Sequence, residues 1–231
     1  MPVRAAIRLT AHLNHAARTG QDRSQAAAEV VAGDVAHHVF EAGSAGSIDL
    51  ATALSTRIAE AGPGWVLALP RPGALLPLRG PAELTAAALE AGAAVIASDG
   101  GTALVPHRVG PALQWQVLEA AAPQIPEPIS EADRHLRETI LSAGDELASL
   151  DMVGGTRPAE AELHLPLSYG GRSQKALLRG LDILAACDAA LSDQTEILHS
   201  HAIAVRTRAL TELRTAALAT VCSVVSWGSG I

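Results

Sequence analysis

The chain has 231 residues, enough for one large domain or two small ones, and 48% of them are hydrophobic. Aromatic content of only 2% argues against base stacking on single-stranded nucleic acid. A net charge of −7 argues against a surface that tracks phosphates. The two cysteines, Cys187 and Cys222, read as reduced, buried, small apolar side chains rather than a disulfide framework.

The N-terminal stretch is interrupted by Arg4, Arg8, His12, Asn14 and His15, so it lacks the apolar run of a secretory signal. The most apolar late stretch, 216–227, falls short of the ~20 residues a bilayer crossing needs. The expectation is a cytoplasmic protein with no membrane insertion. Residues 3–19 predict a first helix, with Ile7, Leu13 and Ala17 near one face and a basic start at Arg4, Arg8 and Arg18. A break at 20–23 is followed by a second predicted helix over 24–42, capped by Ser24 and striped by Val31, Val35 and Val39. A loop at 43–46 leads to a third helix that starts at Ser47 or Asp49, carries Leu50, Leu54 and Ile58, and ends at Ala61 and Gly62.

Strand signals then cluster, and the pattern is written twice. The apolar run 65–69, the turn 70–73, the run 74–78 and a helix over 82–91 make the first unit. The run 94–97, the turn 98–101, the run 102–105 and a helix opening at Pro111 make the second. "LLPLRGPAEL" at 75–84 and "LVPHRVGPAL" at 104–113 share Leu, Pro, Arg, Gly-Pro-Ala and Leu, which reads as an internal repeat. After a proline-rich connector at 123–128, residues 130–133 resemble a capping box, and Leu136, Ile140, Ala143 and Leu147 stripe the helix behind it. Residues 150–172 are irregular. A helix from Ser173 carries Leu177, Leu181, Leu184 and Leu191. A long last helix over 194–225 carries Ile203, Leu210, Leu213, Ala217, Val221 and Val224 on one stripe.

The expected fold is α+β: a four-stranded antiparallel sheet built from a duplicated ββα unit, flanked by N-terminal helices and a C-terminal helical bundle. The expected division is 1–122, holding the first helices and the sheet, and 129–231, holding the bundle, with one continuous domain as the alternative.

Candidate chemistry is sparse. Glu196 and His199 have the i, i+3 spacing of bundle metal sites, and Asp34 with His37 echoes it; His12, His15, His38 and His201 could add ligands. Such a site also needs carboxylates at core positions, and Glu29, Glu41 and Glu138 do not fall on the apolar stripes, so no metal and no cofactor is expected. Arg172 and Lys175 flank a glycine pair at a helix start, where exposed amides could hold an anion; the plain alternative is a helix capped by Ser173. Arg79 and Arg108 occupy equivalent places in the repeat, with His107 beside one, and two such arginines could clamp a carboxylate or phosphate. The plain reading is that each ends a strand at the solvent edge. The turn at Asp99 and Gly100 is a hairpin signal. No nucleophile elbow occurs and neither cysteine has a histidine partner in sequence, so no catalytic residue is assigned.

The motif Trp65-Val-Leu-Ala-Leu-Pro70 followed by Leu75-Leu-Pro-Leu-Arg-Gly-Pro81, and more loosely the "SEADRHLRETIL" helix, resembles a group of uncharacterised proteins from high-GC actinobacteria. That resemblance carries no activity. Its members lie near loci for Tad-type pilus secretion or septum-site ATPases, which implies a partner-binding role. The functional expectation is a non-catalytic interaction or assembly protein with a protein partner or as a homodimer, and without nucleic acid. The alternative is a small anionic-ligand-binding or enzymatic domain using Arg79, Arg108 and His107.

Overall fold

The computed structural model describes residues 2–31, 36–41, 46–56, 58, 62–75, 77–150, 158–159, 161–192 and 200–226. The chain divides into two compact units, one of residues 1–126 with 165–169 and 225–231, the other of 127–164 with 170–224.

The first unit contains α1 (Pro2–Thr19), α2 (Arg23–Val31), β1 (His37–Glu41), β2 (Ile48–Asp49), α3 (Leu50–Thr56) and β3 (Trp65–Ala68). It continues through α4 (Ala82–Ala91), β4 (Ala94–Ala97), β5 (Ala103–Val109) and β6 (Ala112–Leu118). The strands form one six-stranded sheet in the order β2-β1-β6-β5-β4-β3, antiparallel except where β1 runs parallel to β6. Leu84 and Ala88 of α4 pack on Ala68, Ala94, Ile96, Ala103 and Val105. The alternate residues Leu67, Val95 and Leu104 are equally buried, and α1 packs along β3, β4 and β5. This end of the sheet is therefore covered on both faces, which is why β3 and β4 read as unbroken apolar runs.

This six-stranded mixed sheet replaces the four-stranded antiparallel sheet expected from the sequence, and the duplicated unit with it. Four misread stretches account for the difference, one being the expected start of the third helix at Ser47 or Asp49, where Ile48 and Asp49 form β2 and the helix opens at Leu50. The predicted helix over 24–42 is α2, which ends at Val31, followed by β1; His37 and Val39 are buried while His38 and Phe40 are half-buried, a period of two. The described residues of the run 74–78 form no strand: Arg71 and Ala74 exchange two hydrogen bonds of 2.9 Å in an isolated bridge, and Pro77 has no N–H to give a ladder. The helix expected from Pro111 is β6, in which buried Leu113 and Trp115 alternate with half-buried Gln114 and Gln116. The two Gly-Pro-Ala triplets thus do different work. Gly80 and Pro81 precede a run of good helix formers, whereas Gly110 takes φ +59° at the first place of the two-residue β5–β6 turn. Local letters match, but the residues that follow them decide the element.

The outer edge of β3 is closed by side chains. In the β3–β4 ladder Trp65 and Leu67 aim their main-chain groups away from β4. Asn14 Oδ1 accepts from the Trp65 N–H, and Asn14 Nδ2 donates to the carbonyls of Trp65 and Val225, each at 2.8 Å. Ser226 Oγ accepts from the Leu67 N–H at 2.8 Å. Asn14 is fully buried on α1, so a polar residue on an apolar helix face substitutes for a seventh strand. β5 overshoots β4, which pairs only with Ala103 and Leu104. The overhang is blunted by Pro106, which lacks a donor, and by exposed Arg108.

The second unit holds α5 (Ile129–Ala148), α6 (Gly171–Ser192) and most of α7 (Ser200–Ser226). α7 runs antiparallel to both partners: Arg208 pairs with Glu146 and Thr220 bonds the Ala132 carbonyl, while Arg206 bonds the Ala190 carbonyl and Val221 meets Gly180. α5 and α6 are therefore parallel, a pairing that needs the long connection between them. Leu136, Ala143, Cys187, Leu210, Leu213 and Ala217 make the core. Gly180 lets α6 and α7 meet closely, since a Cβ there would lie 2.9 Å from a Val221 methyl. No side chain caps α5, whose N-cap is Pro128, so the capping box expected at 130–133 is absent. Asp133 is instead buried and paired with Arg137 and Arg179. α7 is long and apolar enough to cross a bilayer, but 72% of its most apolar stretch is buried inside the protein, as in a core helix.

Candidate ligand-binding cleft

α1 and α2 form a helical hairpin in the first unit. Gly20, at φ +70°, takes the left-handed conformation that ends α1. Asp22 caps α2 in place of the expected Ser24: its Oδ1 accepts from the Ser24 N–H at 2.9 Å, and that bond holds its carboxyl below the usual carboxylate range. The segment Leu165–Tyr169 lies across this hairpin. His15 Nδ1 is 2.7 Å from Ser168 Oγ, and the Arg18 guanidinium sits 4.3 Å over the Tyr169 ring. The Tyr169 hydroxyl donates to the Val225 carbonyl at 2.9 Å. Burial pushes that phenol up to about 12, so it stays a donor at neutral pH.

Between these parts lies a cleft of about 250 Å³. His12, His15 and Ala16 reach it from α1 at positions i, i+3 and i+4, and Gln25, Ala26 and Glu29 from α2. Gln21 in the turn and Pro166 with Leu167 complete it, and Leu167 is fully exposed at its rim. His12 is the perturbed titrating group. Burial lowers its pKa, and His15 and Arg8 push the same way, against Glu29, which raises it. His12 and Glu29 share this lining, in which Glu29 is the one acidic residue.

The residues singled out from the sequence are placed elsewhere. Arg79 is exposed and donates to Gln124 Oε1 at 2.6 Å. Arg108 is exposed and donates through Nε to the Gly110 carbonyl at 3.1 Å, and His107 Nε2 lies 3.2 Å from Gln116 Oε1. Arg108 pairs with Leu113 at one end of β6, while Gly80 bonds Ala121 beyond the other, so Arg79 and Arg108 lie roughly 20–25 Å apart and do not converge. Arg172 and Lys175 are both exposed in the first turns of α6 in the second unit. Asp34, Glu196 and His199 lie outside the described residues. His37 is buried and its Nδ1 accepts from the Trp115 indole N–H at 3.2 Å. Among the described residues no group of three His, Cys, Asp or Glu side chains is placed to hold a metal ion. Asp99 belongs to the β4–β5 turn, and Gly100 after it leaves no room for a Cβ, which would meet the Ala122 nitrogen at 2.7 Å.

Sequence reasoning had His12 and His15 only as possible extra metal ligands. Gln21 and Gln25 carried no signal, because the cleft arises only when residues 165–169 return to α1.

A family model described as Rv1486c-like protein, N-terminal domain, matches residues 6–131. The chain belongs to this family. The match agrees with the actinobacterial resemblance at the level of the family, and its description carries no activity. No curated protein and no solved structure matches the chain. The Rv1486c-like domain supplies the α1 and α2 walls of the cleft, whereas Pro166 and Leu167 lie beyond the matched span.

Proposed function

We propose that this chain is a non-catalytic, cytoplasmic interaction or assembly protein that works through a protein partner or a second copy of itself. The observation that carries the reading is where the interior polar groups go. Asn14, Ser226, Tyr169 and Thr220 all bond main-chain groups, and Asp133 is paired with two arginines. They hold the fold together. Large apolar side chains stay exposed on both units, Ile125 and Leu141 among them. The resemblance to proteins near Tad-type secretion or septum-site ATPase loci favours partner binding. Arg18 of the basic start stacks on Tyr169, and Arg23 at the head of α2 is bonded to the Ile58 and Gly62 carbonyls, so both arginines have internal duties, which favours a protein partner over nucleic acid.

Light scattering on the purified chain over a wide concentration range tests this, together with affinity purification from the native host. The expected result is a dimer, or a specific protein retained by the chain. A monomer of 23.7 kDa at every concentration that retains nothing specific removes the proposal.

A further inference from the structure

The cleft between α1, α2 and residues 165–169 has a chemistry that none of the preceding readings uses. Its acceptors are the Glu29 carboxylate, the carbonyl oxygens of Gln21 and Gln25, and one nitrogen of the His12 ring. His15 Nδ1 is occupied by Ser168. Glu29 is the one formally charged residue of the lining, and no three metal-ligating side chains converge among the described residues. A lining rich in acceptors with one negative charge complements an organic cation rich in N–H donors. A guanidinium matches a carboxylate in a bidentate fork, with N–H groups left over for the two carboxamides. Pro166, Leu167 and Ala26 offer apolar contact to the methylene chain that carries such a group.

We propose that this cleft binds a guanidinium-bearing ligand, with Glu29 as the charge partner and Gln21, Gln25 and His12 as hydrogen-bond acceptors. A cleft of about 250 Å³ suits a group with a short aliphatic stem. That group could be a free small molecule or the arginine side chain of a peptide, and the chemistry at the cleft is the same. The inference does not depend on the oligomeric reading above.

The test is a titration of the full chain followed by side-chain NMR of its histidine rings, with His12 and His15 assigned by His12→Gln and His15→Gln. One arm uses agmatine, the other an acetylated, amidated Gly-Arg-Gly peptide, each to about 10 mM, with putrescine as the amine comparison. The expected result is a saturable shift of the His12 and His15 signals, with His107 and His135 unmoved. Glu29→Gln, a change at an exposed position, should weaken binding by about tenfold to a hundredfold. Response to agmatine identifies a free ligand, and response to the peptide alone identifies an arginine side chain. No shift with either probe overturns the proposal, as do shifts undiminished in a folded Glu29→Gln chain or an equal response to putrescine.

Discussion

Asn14→Ala tests how the β3 edge is held. The substitution removes three buried hydrogen bonds of 2.8 Å, one accepted from the Trp65 N–H and two donated to the Trp65 and Val225 carbonyls. Leaving a buried main-chain group unpaired costs about 1–3 kcal/mol. The Val225 carbonyl keeps its Tyr169 donor, so two groups, the Trp65 N–H and carbonyl, set a ceiling of about 6 kcal/mol, and the vacated space admits water to an edge of this polarity. The expected loss is about 3–5 kcal/mol, a large share of the ~5–15 kcal/mol typical of a domain. Urea unfolding followed by tryptophan fluorescence reads it, since Trp65 and Trp115 are both buried in the first unit. The midpoint should fall sharply with the slope unchanged. Asn14→Asp discriminates further: the carboxylate keeps an acceptor for Trp65 but loses both donors, so its variant should regain stability as the pH falls and the acid protonates. If Asn14→Ala costs less than about 0.5 kcal/mol, as an ordinary surface change does, the edge-closing account is wrong.

Gly180→Ala should destabilise the second unit by about 1–2 kcal/mol, because overpacking against the stiff Val221 methyl outweighs the helix-propensity gain of about 1 kcal/mol. Adding Val221→Ala should recover the Gly180→Ala part of the loss, readable as positive coupling in a double-mutant cycle of urea midpoints. His12 has a folded pKa below its unfolded value of 6.5, so its contribution is fully present above pH 6.5 and is lost as the pH falls towards the folded pKa. Thermal melts from pH 8 to pH 5 should show that loss, and His12→Gln should remove that part of the slope. Burial and the neighbouring Asp188 push the Cys187 thiol up to about 11. A chromogenic disulfide at pH 8 should therefore label neither it nor buried Cys222 in the native chain, and both after denaturation. Rapid native labelling of Cys187 would contradict its burial.

Helices that carry their own period are readable from the residues alone. α1, α5, α6 and α7 were legible from stripes such as Leu210, Leu213, Ala217 and Val221, all buried here, because a helix satisfies its backbone from within and advertises its inner face every three or four residues. The apolar runs of β3 and β4 were legible for a related reason, being covered on both faces. The sheet depends on contacts between distant parts of the chain. A strand bonds to chain far away, so nothing near His37–Glu41 says that it runs beside Leu113–Val117. In the sequence Asn14 is only a polar interruption of the N-terminal apolar run; its role appears when Trp65 and Val225 are brought against it. The cleft depends most on long-range assembly: His15 and Ser168 share a hydrogen bond across more than half the chain, and no local pattern records a partner at that distance.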